Sequence, residues 1–252
     1  MSIICKHTFN TPDSRDYKYQ GIPLNAPMPT LYQIPIVKLG TVPINDQGSL
    51  GSCLANAVNS LFYIMSSGKI TLSRLQLYMC YRAEDGSSLT EDSGGSIRGS
   101  MKAIKNYGIC NEFIWKYVIS NYSKLSPSTA FKSIYSITDF SYLFLSNDLN
   151  LIKNALISNN PVLIGIRVYS TFQTASNAKT GIIPMPDTTK EKLLGGHAIL
   201  LVGYSDTNKL FKFQNSWGIG WGDKGYGYLP YNYVSTKFLT PDLCTIKFNF
   251  NF

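Results

Sequence analysis

Residues 46–58 read DQGSLGSCLANAV. Asp46 and Gln47 lead through a run of mostly small residues to Cys53, and behind Cys53 the chain turns apolar at helical spacing. Leu54, Ala57, Val58, Leu61, Phe62 and Met65 recur at i, i+3, i+4, i+7, i+8 and i+11, a single stripe that predicts a helix central to a core. Ser52 is placed to cap its start and Gly68 to end it. Unpaired backbone N–H groups at a helix start favour negative charge, so Cys53 is expected to have a lowered thiol pKa. Gly48, Gly51 and Ser52 leave room for a substrate backbone to come close. A cysteine at a helix start is often structural, so the rest of the chain has to decide its role.

His197 is the deciding partner. It opens the apolar run HAILLVGYS (197–205) directly after Gly195-Gly196, and Asn215 follows in FQNSWGIGWG. A cysteine, a distant histidine and then an asparagine are the parts needed for thiol catalysis. The thiol is the nucleophile, the imidazole takes its proton and later gives one to the leaving amine, and the asparagine oxygen fixes the ring. The side-chain amide of Gln47 can donate to a developing oxyanion beside the backbone N–H of Cys53.

Four stretches, QGSLGSC (47–53), SGGS (93–96), GGHAILLVGY (195–204) and NSWGIGWGDKGYGYL (215–229), together resemble the papain-like cysteine peptidases, in that family's order. The resemblance implies an α+β, two-lobed papain-like fold. A helical N-terminal lobe would face a β-barrel-like C-terminal lobe, with the active site in the cleft between them. It implies catalytic roles for Gln47, Cys53, His197 and Asn215, with Trp217 shielding the Asn215–His197 hydrogen bond. Gly94, Gly95, Gly196 and Trp217 would bind substrate along the cleft. Leu50 stands where secreted relatives carry a cysteine, and Ser96 falls near the place of its disulfide partner, so that bridge is expected to be absent, as in the microbial and viral branch. Leu54 replaces the usual aromatic residue after the nucleophile. Adjacent loop histidines of the cathepsin B kind are lacking, since the only histidines are His7 and His197; endopeptidase action is then the default, with aminopeptidase action open. The selectivity pocket is expected from regions 164–194 and 226–245, with an apolar or aromatic preference as the family default.

Other patterns divide the chain. A second helix is predicted over Ser73–Ala83, a third from Ser96 to Gly108 and a short one after Asp148. Strands are predicted at 161–169, 197–205 and 209–217, with a hairpin at Asp206–Asn208. Residues 1–30 read as a short leader, 31–120 as the mainly helical lobe and 121–252 as the mainly β lobe; LYQIPIVKLGTVPIN (31–45) reads as extended. The leader is far shorter than the family's usual propeptide. Either latency is absent or the leader lies near the cleft, and it is not expected to inhibit fully.

Composition excludes several classes. The 23 Lys and Arg residues exceed the 15 Asp and Glu, giving +8, but they are scattered, so no nucleic-acid partner is expected. No apolar run is long enough to span a bilayer and no secretory signal is evident, so a cytoplasmic location is expected, or packaging in a virion if the source is viral. Five cysteines without C-x-x-C spacing and two histidines predict no metal site, and no cofactor is implied. Cys80 and Cys110 read as buried free thiols. The expected partner is a peptide or protein substrate of a monomeric enzyme. A silent relative that binds peptide in its cleft is the alternative; transglutaminase-type acyl transfer is disfavoured by Asn215 in place of aspartate.

Overall fold

The computed structural model describes residues 5–249, apart from 25, 35–41, 133 and 136–138, so part of the expected extended stretch 31–45 lies outside the described residues. The apolar stripe behind Cys53 folds as α1 (Cys53–Met65), with Leu54, Val58, Leu61 and Phe62 buried. The ends of α1 differ from expectation. Ser52 occupies the N-cap position, but its hydroxyl lies 2.5 Å from the Tyr117 hydroxyl and makes no cap. The helix stops at Ser66, and Gly68 (φ 82°) closes the following turn by donating to the Tyr63 carbonyl. Helices α2 (Arg74–Glu84) and α3 (Ile97–Tyr107) start where Ser73 and Ser96 accept from Gln76 N and Gly99 N. Arg82 is fully buried, and its guanidinium donates to the carbonyls of Leu89, Glu91 and Tyr122. One side chain thereby pins the loop that runs toward Gly94.

The remaining chain is mostly strand. After β1 (Leu31–Gln33) and β2 (Ile109–Cys110) come α4 (Ser128–Lys132), β3 (Ile134–Tyr135), β4 (Phe140–Phe144), α5 (Leu149–Ile157), β5 (Val162–Tyr169) and α6 (Ala175–Thr180). The chain continues with β6 (Leu193–Ser205), β7 (Leu210–Gln214), β8 (Tyr226–Pro230), α7 (Tyr231–Ser235) and β9 (Asp242–Phe248). A seven-stranded antiparallel sheet runs in the order β4-β9-β5-β6-β7-β8, with β1 added on β6, while β2 and β3 pair separately. Helix α1 packs across β6, joining a helical lobe to a sheet lobe in an α+β, two-lobed arrangement.

Two strand limits correct the expectation and position the site. β6 begins at Leu193, so His197 lies inside a strand instead of opening one, because Gly195 and Gly196 pair across β5 with Val168 and Arg167. β7 ends at Gln214, because the Asn215 N–H leaves the ladder and donates to the Gly225 carbonyl. The start of the chain is tied down as well. Residues 5–8 enter the junction of the lobes, Asp16 pairs with Arg98 on α3 at 2.6 Å, and Tyr17 and Tyr19 bond the backbone of Phe144 on β4.

Candidate active site

Cys53 is the first residue of α1, and His197 projects from β6 where that strand meets the helix. His197 is fully buried, and its Nε2 lies 2.8 Å from Asn215 Oδ1. That oxygen also accepts from the Ser216 N–H at 2.9 Å, so it is the amide's acceptor and the proton sits on His197 Nε2. Nδ1 is left as the basic nitrogen, and it has no hydrogen-bond partner among the described residues. Trp217 stacks on the imidazole at 4.8 Å, Phe172 meets both rings edge-on, and Trp221 backs Phe172. This aromatic wall keeps water from the Asn215–His197 bond.

Gln47 is buried below the loop that leads to Cys53. Its Oε1 accepts from Ser216 Oγ at 2.7 Å and its Nε2 donates to the Leu50 carbonyl at 3.0 Å. Its backbone N–H donates to the Ser216 carbonyl, and Tyr117 Oη donates to its carbonyl at 2.9 Å. The side-chain amide is therefore held in one orientation by residues of both lobes. Ser216, Tyr117 and Phe172 were not foreseen; only Ser216, inside NSWG, lay in a recognisable motif.

Gly94, Gly95 and Gly196 lie against a peptide backbone, that of residues 6–8. The His7 N–H donates to the Gly196 carbonyl at 2.7 Å and the Thr8 N–H to the Gly95 carbonyl at 3.0 Å. Gly94 (φ 76°) lies under the Lys6 carbonyl, where a Cβ would collide with that oxygen. Of the two alternatives for the leader, the second holds for residues 6–8, which lie in the cleft. Lys6 Nζ bonds the Asp92 carboxylate at 3.0 Å and also the Asp92 carbonyl, and Asp92 accepts from the Gly51 N–H just before Cys53.

All five cysteines are free and buried, as expected for Cys80 and Cys110. Ser96, expected near the place of the missing bridge, instead bonds Asp85 through its N–H and hydroxyl; the carboxylate of Asp92 fastens the nucleophile loop.

The electrostatics of the closed site run opposite to the expectation from the helix start. The thiol of Cys53 is raised above its ordinary pKa, mainly by burial, although hydrogen bonding from the backbone at Ala198, Lys6, Leu54 and Cys53 itself opposes the shift. The helix start does favour the thiolate, but removal from water outweighs it. His197 is pushed down to about 4, first by burial, against the raising effect of Asn215 and with a further lowering from nearby His7. Both groups are neutral near pH 7 in this closed form, so the lowered thiol pKa expected from the helix start is not seen. Among the described residues, no group of three or more His, Cys, Asp or Glu could hold a metal ion, and no helix is long and apolar enough to cross a membrane.

The sequence model of the papain family cysteine proteases matches residues 37–246. The chain belongs to this family. An uncharacterized peptidase C1-like protein of Acanthamoeba polyphaga mimivirus is 36% identical over 215 residues, covering 80% of this chain and 68% of the relative. Ananain of Ananas comosus is 26% identical over 83% of this chain and 62% of its own length. The crystal structure of xylellain, a cysteine protease from Xylella fastidiosa, superposes with a TM-score of 0.86 at 29% identity, covering 98% of each chain. These likenesses establish the papain-like fold and place the chain among hydrolases of the thiol protease class, with bacterial and viral proteins among its relatives.

Proposed function

We propose that this chain is a cysteine endopeptidase that folds in a latent form, with residues 5–8 lying in its own cleft. The observation that carries the reading is the 2.8 Å bond from His197 Nε2–H to Asn215 Oδ1, which leaves Nδ1 basic, without a partner among the described residues, beside the lobe that carries Cys53. Once the segment leaves and water enters, burial no longer suppresses both charges. His197 Nδ1 takes the Cys53 proton, and the thiolate attacks the substrate carbonyl. The oxyanion accepts hydrogen bonds from the Cys53 N–H and the Gln47 amide. The imidazolium returns its proton to the leaving amine, giving a thioester on Cys53. His197 then deprotonates a water that hydrolyses the thioester. Gly94, Gly95 and Gly196 serve as the backbone contacts of the substrate, a role supported by their hold on residues 6–8.

A silent peptide-binding protein is the second reading, favoured by the filled cleft. The two separate when the full chain, bearing a cleavable site among exposed residues 11–15, is folded and then cut. The endopeptidase reading expects internal cleavage of a mixed peptide library that is lost with a thiol alkylator and with Cys53→Ala. Release of single N-terminal residues only would assign aminopeptidase action. Absence of turnover by the cut chain supports the silent protein.

A further inference from the structure

The cleft carries a feature at odds with the protein's net charge of +8. The two basic side chains of the segment, Lys6 and His7, are both met by carboxylates, Asp92 and Asp242. His7 is the deeper of the two, and its side chain is fully buried. Its Nδ1 lies 3.1 Å from the Gly95 carbonyl oxygen, and its Nε2 lies 3.3 Å from Asp242 Oδ2. A carbonyl oxygen and a carboxylate both only accept. To donate to both neighbours at once, an imidazole at this place would need a proton on each nitrogen, so the site is built for a cation.

The shape of the pocket follows from the register. Asp242 opens β9 directly opposite Gly165 of β5. A Cβ on Gly165 would run into the His7 ring, so the absence of a side chain there makes the space in front of the carboxylate. Phe9 closes the pocket edge-on at a centroid distance of 5.2 Å, and the Asn10 N–H donates to Asp242 Oδ2 at 3.0 Å. Asp242 itself is only 5% exposed. An apolar side chain seated there would exclude water from a carboxylate without replacing its hydrogen bonds, whereas a cation restores them.

Building on the peptidase reading above, we infer that Asp242, facing Gly165, makes the expected selectivity pocket select a substrate side chain carrying positive charge: lysine, arginine or protonated histidine. The location agrees with the regions expected to form the selectivity pocket, while the chemistry replaces the apolar default. Asp92, which holds Lys6 at the neighbouring position, adds a second and more open acidic contact.

The test uses the full chain, folded with a cleavable site among exposed residues 11–15 and then cut and washed. Fluorogenic peptides are varied one position at a time. At one position, lysine or arginine should exceed norleucine by roughly tenfold or more in kcat/KM, the scale of one charge-assisted hydrogen bond. Asp242→Asn should shrink that preference to within about threefold, and Gly165→Ala, which fills the opposite wall, should weaken all long side chains there. Unchanged selectivity in Asp242→Asn, or a preference for norleucine in the wild type, with hydrolysis still dependent on Cys53, overturns this inference and leaves the peptidase reading standing. If no peptide is cleaved, the peptidase reading fails, and the pocket is read by binding. A labelled peptide of residues 5–16, CKHTFNTPDSRD, should then bind the cut Cys53→Ala protein at least tenfold more tightly than its version with norleucine for His7. Equal binding overturns the inference without depending on any protein variant.

Discussion

Replacing His7 with alanine should open the cleft. In the closed form the ring makes a bond to the Gly95 carbonyl at 3.1 Å, a longer one to Asp242 at 3.3 Å and an edge contact with Phe9 at 5.2 Å. A neutral hydrogen bond contributes about 1 kcal/mol, a charged one roughly 1.5 to 3 and an aromatic pair about 1, and the long Asp242 bond belongs at the low end. The closed state should therefore lose about 3 kcal/mol relative to the open one, equivalent to about a hundredfold more open population. Cys53 is wholly inaccessible in the closed form, so its alkylation by iodoacetamide, followed by mass spectrometry of the Cys53 peptide, reads that population. The rate at pH 7 should rise roughly a hundredfold in His7→Ala, and activity should rise with it. A rate within twofold of wild type would show that the His7 contacts do not hold the segment down, and the latency reasoning would be wrong.

Asn215→Ala removes the acceptor that fixes the His197 tautomer and should lower kcat of the cut enzyme by tenfold or more with little change in KM; rate measurements against substrate concentration check this. Gln47→Ala should cost roughly a hundredfold in kcat, the scale of one lost oxyanion donor, and the same kinetics would expose a smaller effect. The closed chain should also lose stability in acid. His197 titrates near 4 when folded against an ordinary value of 6.5, so the unfolded chain binds the proton first. The stabilising difference is complete above pH 6.5 and disappears as pH falls toward 4, about 3 kcal/mol in all. Urea unfolding at pH 7 and pH 4 should show that loss in the wild type and a shallower one in His197→Gln. Arg82→Met leaves the carbonyls of Leu89, Glu91 and Tyr122 without their donor and should destabilise the fold by about 3 kcal/mol, measurable by the same unfolding curves.

The parts of this molecule that were legible in the sequence obey local rules. α1 announced itself by the stripe from Leu54 to Met65, and α2 and α3 by serines that do cap them. His197 and Asn215 stood out as polar residues in an otherwise apolar or glycine-rich context, and the structure brings their side chains together. What escaped depends on contacts distant in sequence. The segment holding Lys6 and His7 has no period, and its contacts reach to Gly95, Gly196 and Asp242. Asp242 follows a proline at a strand start, where nothing local signals a buried carboxylate. The raised thiol of Cys53 was misjudged for the same reason: the helix start is a local feature, whereas the burial that outweighs it is set by the folded chain as a whole.

The central claim, that Cys53 becomes an acylating nucleophile once residues 5–8 leave the cleft, is tested most directly by single-turnover acylation. The uncut and cut chains are mixed with a slowly deacylating peptide ester at pH 7, quenched and mapped by mass spectrometry. The account predicts one acyl group per chain on Cys53 in the cut protein and almost none in the uncut protein. Acylation of another cysteine, or an equal yield before and after cutting, would contradict it.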